Sequence, residues 1–404
     1  MSLLPYAEAQ ERILQGIEPL AAEPVAVADA LGRTLAASFM ALRTLPPWDN
    51  SAMDGYAVRS GDTGAAPVRL KVTQTVYAGQ VSDQPVSKGE CARIMTGGPI
   101  PPGADAVLMQ ERTRRAPVDA EEVELLEPVV RASCIRKKGE DARAGEELLS
   151  KGTLLGIPEL GLLWAQGATR VDAPRRPRVA VLSTGDELCL VGAPGHGRIV
   201  DTNGPSLALA VEHAGGIPTY LGIAHDARDA VTEKLRTAGE FDVVLTSAGV
   251  SVGDHDCVRE ALLSLGVELD FWGVAIKPGK PLAFGRRDKT FFFGLPGNPT
   301  SSLVTFELFV RPAIRRLLGV ASPLPSLVGG RSAVELTKSQ GLANFIRVST
   351  VWKEGELWAY PLASQTSGAV RSAVGATHLL HFPRDARTLA VGQAIELVCV
   401  DWSG

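Results

Sequence analysis

Residues 173–188, APRRPRVAVLSTGDEL, decide the fold. Prolines and arginines open the stretch, an apolar run follows from Val179 to Leu182, and a glycine-containing loop with two acids closes it. A short apolar run between such punctuation predicts a buried strand. The pattern then alternates. GPSLALAVEHAGG (204–216) predicts a helix, IPTYLGIA (217–224) a strand, DAVTEKLRTAG (229–239) a helix, FDVVLTS (241–247) a strand and CVREALLSL (257–265) a helix. Strands alternating with helices at this spacing indicate a parallel sheet flanked by helices. Ligands of such sheets collect at the carboxyl ends of the strands.

Working outward, the rest of the chain has a different texture. Residues 4–20 predict a helix with Ala7, Ile13, Leu14 and Ile17 near one face, and a second short helix is expected near Asp29 with Leu31 and Leu35. From about residue 43 the text turns strand-like, as in VRLKVTQTV (68–76), which predicts a small β domain. Near the C-terminus, NFIRVSTVWKEGELWAYPL (344–362) predicts a hairpin turning at KEGE, with Ile346, Val348, Thr350 and Trp352 on one face. The expected fold is multidomain, α/β and β. It has an N-terminal domain from 1–42 plus 131–172, an inserted β domain at 43–130, a central parallel α/β domain at 173–325 and a C-terminal β-barrel at 326–404.

A chain of 404 residues exceeds what one hydrophobic core usually serves. Its net charge of -4 gives no support to a nonspecific nucleic-acid binder, which needs a basic surface, and leaves local basic pockets open. No run of apolar residues reaches the ~18 of a membrane span. Cys91, Cys134, Cys189, Cys257 and Cys399 are scattered without metal-finger spacing, so reduced thiols and a cytoplasmic location are expected.

Several loops at the expected sheet edge carry unusual residues. STGDEL holds Asp186 and Glu187, GIAHDARDA holds Asp226, and TSAGVSVGDHD (246–256) holds Asp254 and Asp256. AIKPGKP supplies Lys277 and Lys280, while GLPGNPTSS introduces a long helix expected from Leu303 to Leu318. Each has an ordinary structural explanation. Asp226 and Asp256 suit helix N-caps, worth ~1 kcal/mol, and Thr300 suits a cap for the following helix. Glu187 suits a solvated loop, and the lysines suit a surface where their stems lie flat. Taken together they suggest a ligand. Glycine amides and lysines attract phosphate oxygens, while carboxylates fit the same place if Mg²⁺ bridges them to phosphate. No GxxxxGK[ST] or strand-borne GxGxxG occurs, which disfavours a P-loop ATPase and a dinucleotide oxidoreductase.

The strings DNSAMDGYAV (49–58), RIMTGGPIPPGAD (93–105), STGDEL, SVGDHD, IKPGKP and GLPGNP together resemble the molybdopterin molybdenumtransferase family, whose relatives include the E domain of gephyrin. That resemblance runs from about residue 5 to the C-terminus. It implies an enzyme that inserts molybdate into adenylylated molybdopterin, with Mg²⁺ assisting and AMP released. It also implies site residues. Glu187, Asp226 and Asp256 would serve Mg²⁺ and water positioning. Ser183, Thr184, Gly185, Ser247, Gly249, Ser251, Gly253, Lys277 and Lys280 would serve phosphate binding. Pro296, Pro299, Arg347 and Ser367 match positions tied to the oxyanion pocket or its rim. Asp54 and Thr96 would complete the site of a second subunit, so a homodimer is expected, with the adenylyltransferase and molybdoenzymes as further partners and neither nucleic acid nor membrane. Two departures stand out. Ala248 replaces a usual glycine, and Gly273 stands where many members carry lysine. Two other readings remain at this point: the related molybdopterin adenylyltransferase, or a gephyrin-like scaffold.

Overall fold

A computed structural model describes residues 3–114, 121–192, 195–247, 257–400 and 402. The chain forms two compact units, one made of 1–37, 151–160 and 170–404, the other of 38–150 and 161–169.

The second unit is built on a six-stranded sheet. Its strands are β1 (Gly55–Val58), β2 (Val68–Val76), β3 (Glu90–Ile94), β4 (Ala106–Met109), β5 (Thr113–Arg114) and β6 (Glu122–Leu125). They lie in the order β4-β1-β3-β2-β6-β5. Strand β1 is central and buried throughout, so alternate side chains must enter two cores. Tyr56 and Val58 pack with Leu70, Leu108 and Leu125, whereas Ala57 packs with Val76, Ile94 and Val107 on the opposite face. Short antiparallel pairs tie the flanks of this sheet: Phe39–Met40 with Glu147–Leu149, and Asn50–Ser51 with Ile135–Arg136.

In the first unit, Ala22–Ala26 pairs antiparallel with Arg170–Pro174. The following sheet contains β7 (Arg178–Thr184), β8 (Ile217–Ala224), β9 (Val243–Ser247), β10 (Glu268–Trp272), β12 (Ala283–Arg287) and β13 (Thr290–Leu295), with β11 (Ile276–Lys277) outside it. The order is β8-β7-β9-β13-β12-β10. The first four strands run parallel, β12 is antiparallel to β13, and β10, antiparallel to β12, again runs with the first four. The expected parallel sheet is present over four strands, and the β12–β10 edge makes the whole sheet mixed. The reason is the connection: Asp288 and Lys289 alone join β12 to β13, and a two-residue turn permits only an antiparallel pair.

Alternation along the strands divides the core. Val179, Val181, Val243 and Leu245 face a cluster that includes Leu207 and Val211 of α2 (Asn203–His213) and Ala9 and Ile13 of α1 (Tyr6–Gln15). Ala180, Leu182 and Val244 face Val231 of α3 (Arg228–Lys234) and Val258 of α4 (Cys257–Ser264). Both faces are covered, which explains the near-continuous apolar runs. Each such aliphatic side chain contributes roughly 1.5–3 kcal/mol when fully buried.

The helix expected at 303–318 starts earlier. It begins as α5 (Pro299–Thr305), passes through a π turn at Phe306–Val310 and continues as α6 (Arg311–Leu317). Pro312 explains the irregularity, because proline has no N–H and its ring crowds the carbonyl four residues back. That carbonyl, on Leu308, instead accepts a hydrogen bond from the buried Gln10 side chain of α1 at 2.8 Å. Glu307 in the π turn is almost wholly buried and is held by Arg311 at 2.7 and 2.8 Å. The short helix expected near Asp29 is a 3₁₀ turn over Val27–Asp29; Gly32 at φ 73° ends it, and Leu31 lies exposed.

The C-terminal strands are β14 (Leu327–Ser332), β15 (Ala343–Lys353), β16 (Glu356–Pro361), β17 (His378–Phe382) and β18 (Ala394–Cys399). They close on themselves in the order β15-β16-β14-β18-β17, since β15 also pairs with β17. The result is a five-stranded barrel. Ile346 and Val348 enter its core as expected, but Trp352 at the far end of the strand is exposed. Strand β11 adds beside β15, pairing Ile276 with Ala343 and Lys277 with Asn344.

Candidate functional site

A pocket of about 590 Å³ opens where the carboxyl ends of β7, β9 and β13 meet. Its lining brings together Thr184, Glu187, Ser247, Pro296 and Pro299 from the expected set. Asn298 donates to Ser367 Oγ at 3.2 Å, and Thr300 N–H donates to the Ser367 carbonyl at 3.1 Å. These bonds bring the barrel segment with Gly368 and Val370 against the pocket.

The acids at this edge feel one another. Burial raises the Asp226 carboxyl above the ordinary carboxylate range, and the charges of Glu187 and Asp186 push it further. Asp186 is lowered instead, chiefly because His225 lies 2.9 Å away and the Asp226 N–H also points toward it. A Cβ on Gly185, which sits at φ 150°, would come within 2.7 Å of Glu187 Oε2. Glycine is therefore what allows that carboxylate to fold back over its own turn. Among the described residues no three His, Cys, Asp or Glu groups form a metal cage. Glu187 lines the pocket and Asp226, outside the lining, is near enough to feel its charge; two such carboxylates fit a hard divalent cation that takes its remaining ligands from phosphate and water.

Hydroxyls complete the pocket floor. Thr184 and Ser247 are buried and line the pocket, and the Thr184 oxygen has no hydrogen-bond partner among the described residues; Ser183, also buried, lies beside Tyr220 and outside the lining. Buried hydroxyls usually find partners, so a site-lining orphan is a place for a ligand oxygen.

Other expected residues lie elsewhere. Lys277 and Lys280 are exposed and do not line this pocket, although Pro281 next to Lys280 does. Arg347 does not face the pocket either. It is 1% exposed and is spent on protein carbonyls, donating to Ser372 at 2.9 Å and Ser364 at 3.4 Å. Its role in these contacts is to hold the segment that carries Ser367 and Gly368. Gly249, Ser251, Gly253 and Asp256, together with Ala248 and Asp254, lie outside the described residues. Gly273 has φ 107°, and a Cβ there would meet Leu3 at 2.9 Å, so a lysine would strain both backbone and packing.

In the other unit, Asp54 and Thr96 form a local pair. The Thr96 N–H at 2.7 Å and its hydroxyl at 2.8 Å both donate to Asp54 Oδ1, and these bonds hold the carboxyl below its usual range. Thr96→Ala removes the hydroxyl and keeps the amide. The Asp54 titration midpoint, followed by carboxyl NMR, is expected to move upward toward the ordinary carboxylate value. A midpoint that stayed put would mean that the hydroxyl contributes nothing.

Sequence reasoning missed Asp201, Asn203, Tyr220 and Asn298. Asp201 Oδ1 accepts the N–H groups of Asn203 and Gly204 at the start of α2, and Tyr220 donates to Oδ2 at 2.5 Å. The visible signal was DTNGP (201–205), an Asx-rich helix start.

Comparison with known proteins adds three family matches. Residues 4–167 match the MoeA N-terminal region (domain I and II), 180–316 a probable molybdopterin binding domain, and 330–399 the MoeA C-terminal region (domain IV). Among characterised relatives, a molybdopterin molybdenumtransferase from Nostoc sp. is 41% identical over 317 residues, covering 76% of this chain and 72% of its own. Those of Staphylococcus aureus and Bacillus subtilis are 31% and 33% identical over 98% of this chain, covering 96% and 94% of their own lengths. The crystal structure of a molybdopterin biosynthesis moeA protein from Pyrococcus horikoshii superposes with a TM-score of 0.86 at 30% identity, covering 99% of this chain and all of that one.

Proposed function

The chain belongs to the MoeA family of molybdopterin molybdenumtransferases, and from that premise we propose that it inserts molybdate into adenylylated molybdopterin and releases AMP. One observation carries the reading at the level of chemistry. Glu187, Thr184 and Ser247 share one pocket at the sheet edge, and Asp226 is raised by burial and by its acidic neighbours. A phosphoanhydride is hydrolysed when water attacks phosphorus, the P–O bond to the leaving phosphate breaks, and a base takes the proton of the water. Asp226 is the carboxylate that would position that water. Hydroxyls and backbone amides stabilise the charge that grows on the phosphate oxygens.

Bound Mg²⁺ would neutralise phosphate charge and lower the pKa of water. Glu187 and Asp226 are the residues that would hold it. The remaining parts of the reading belong with it as proposals: molybdate and adenylylated molybdopterin as substrates, Asp54 and Thr96 acting in trans, and a homodimer as the active form. None of the described helices is long and apolar enough to cross a membrane.

The test is direct. Purified protein supplied with adenylylated molybdopterin, molybdate and Mg²⁺ is expected to release AMP and yield molybdenum cofactor, and chelation is expected to stop it. Formation of adenylylated molybdopterin from ATP, with no AMP release in the forward assay, would overturn the reading in favour of an adenylyltransferase.

A further inference from the structure

We infer that Asn203 is a positioning residue that fixes the Ser247 hydroxyl as a hydrogen-bond donor to the oxygens of the bound phosphate group. The inference rests on the reaction proposed above. It begins with what Asn203 does not do. Asn203 is the first residue of α2, after Thr202, and the free N–H groups of that first turn need an acceptor. Here Asp201 has taken that duty, accepting from Asn203 N at 3.0 Å and Gly204 N at 3.1 Å. The Tyr220 hydroxyl, 2.5 Å away, holds the other oxygen of Asp201. Gly204 makes the arrangement possible, because a Cβ there would lie 2.3 Å from Tyr220 and 2.6 Å from Asp201.

The amide of Asn203 is thereby free to reach across the strand ends. Its nitrogen donates to the Gly297 carbonyl at 2.7 Å and to Ser247 Oγ at 2.8 Å. The carbonyl can only accept, so the group facing it is the NH₂, and both of its hydrogens are used. Ser247 Oγ must then accept from Asn203, and its own hydrogen is left for another acceptor. Among the described residues Ser247 has no second partner, and it lines the pocket beside Thr184, whose hydroxyl has none either. The ends of β7 and β9 are in register, Ser183 opposite Ser247. Two neighbouring strands therefore offer hydroxyl donors to one volume, and Asn203 determines the direction of one of them. Loss of Asn203 frees that hydroxyl to rotate away from the phosphate.

A double-mutant cycle tests this on full-length protein, using AMP release from adenylylated molybdopterin, with thermal melting as the folding control. Asn203→Ala and Ser247→Ala are each expected to raise KM about 10- to 100-fold, the range for a hydrogen bond to a charged group, with a smaller effect on kcat. The double variant is expected to match Ser247→Ala alone, because Asn203 acts through that hydroxyl. Asn203→Asp is expected to lose more than Asn203→Ala, since its carboxylate would take the Ser247 hydrogen and repel the phosphate. It also serves if the alanine variant does not fold. Losses that multiply in the double variant overturn the assignment, as does Asn203→Asp with wild-type KM. A wild-type protein that releases no AMP overturns the parent reaction instead.

Discussion

Asp226→Asn is expected to slow AMP release by about a hundred- to ten-thousand-fold while leaving the protein at least as stable as wild type at neutral pH. The rate estimate is the usual contribution of a positioned general acid or base. The stability estimate follows from the raised carboxyl pKa, caused by burial and then by Glu187 and Asp186. Because the folded state holds the proton more tightly than the unfolded chain, stability falls as pH rises from the ordinary aspartate value of about 3.9 through the raised one. Above that window the cost of the charge is complete, and asparagine removes it. The measurement is melting against pH in chelator, so that no cation compensates, alongside turnover in Mg²⁺. Unchanged turnover would remove Asp226 from the reaction. A lower melting temperature at neutral pH would mean that its charge has a stabilising partner.

The largest expected effect on stability is Gly55→Ala. Gly55 begins β1, which pairs with β3 on one side and β4 on the other, opposite Ile94 and Met109. A Cβ there would sit 2.0 Å from the Leu108 carbonyl oxygen and 2.9 Å from its carbon. Both are backbone atoms in a paired strand, so no side-chain rotation relieves the overlap and the strands must part. Overpacking of this kind costs about 3 kcal/mol or more, which would lower the melting transition of this unit by on the order of 10 °C. The neighbouring Asp54 would move too, since its carbonyl accepts from Gln110 across the same strands at 3.1 Å. Gly61→Ala is the control, because nothing lies within 4 Å of a Cβ there. Equal melting of the two variants would refute the argument.

Val179 to Leu182 and Val243 to Leu245 were legible as strands because burial on both faces forces apolar residues at successive positions. Strand direction was not legible. TFFFGL (290–295) is as apolar as its parallel neighbours, and only the two-residue turn that joins it to AFGRR (283–287) marks a hairpin. Glu187 stood out because loops after parallel strands converge by topology, whereas Thr184 and Ser247 came only from the family resemblance. Asn203 could not be found, since nothing in its place in the first turn of α2 tells that its side chain reaches across to Ser247 while Asp201 accepts the N–H groups. Arg347 was placed at the oxyanion pocket or its rim only by its match to a family position; its guanidinium here donates to the Ser372 and Ser364 carbonyls.

Strand β15 bonds to β16 along one edge and to β17 along the other, while its first residues also hold β11. Adding or deleting one residue within it would therefore turn Phe345 and Ile346 to the wrong sides at three seams at once. The hairpin tip, where Glu354 and Gly355 sit at φ 54° and 79°, is the place where this strand pair can take an extra residue without shifting a register. The barrel can lengthen its finger, but it cannot re-space the strand that carries the neighbour of Lys277.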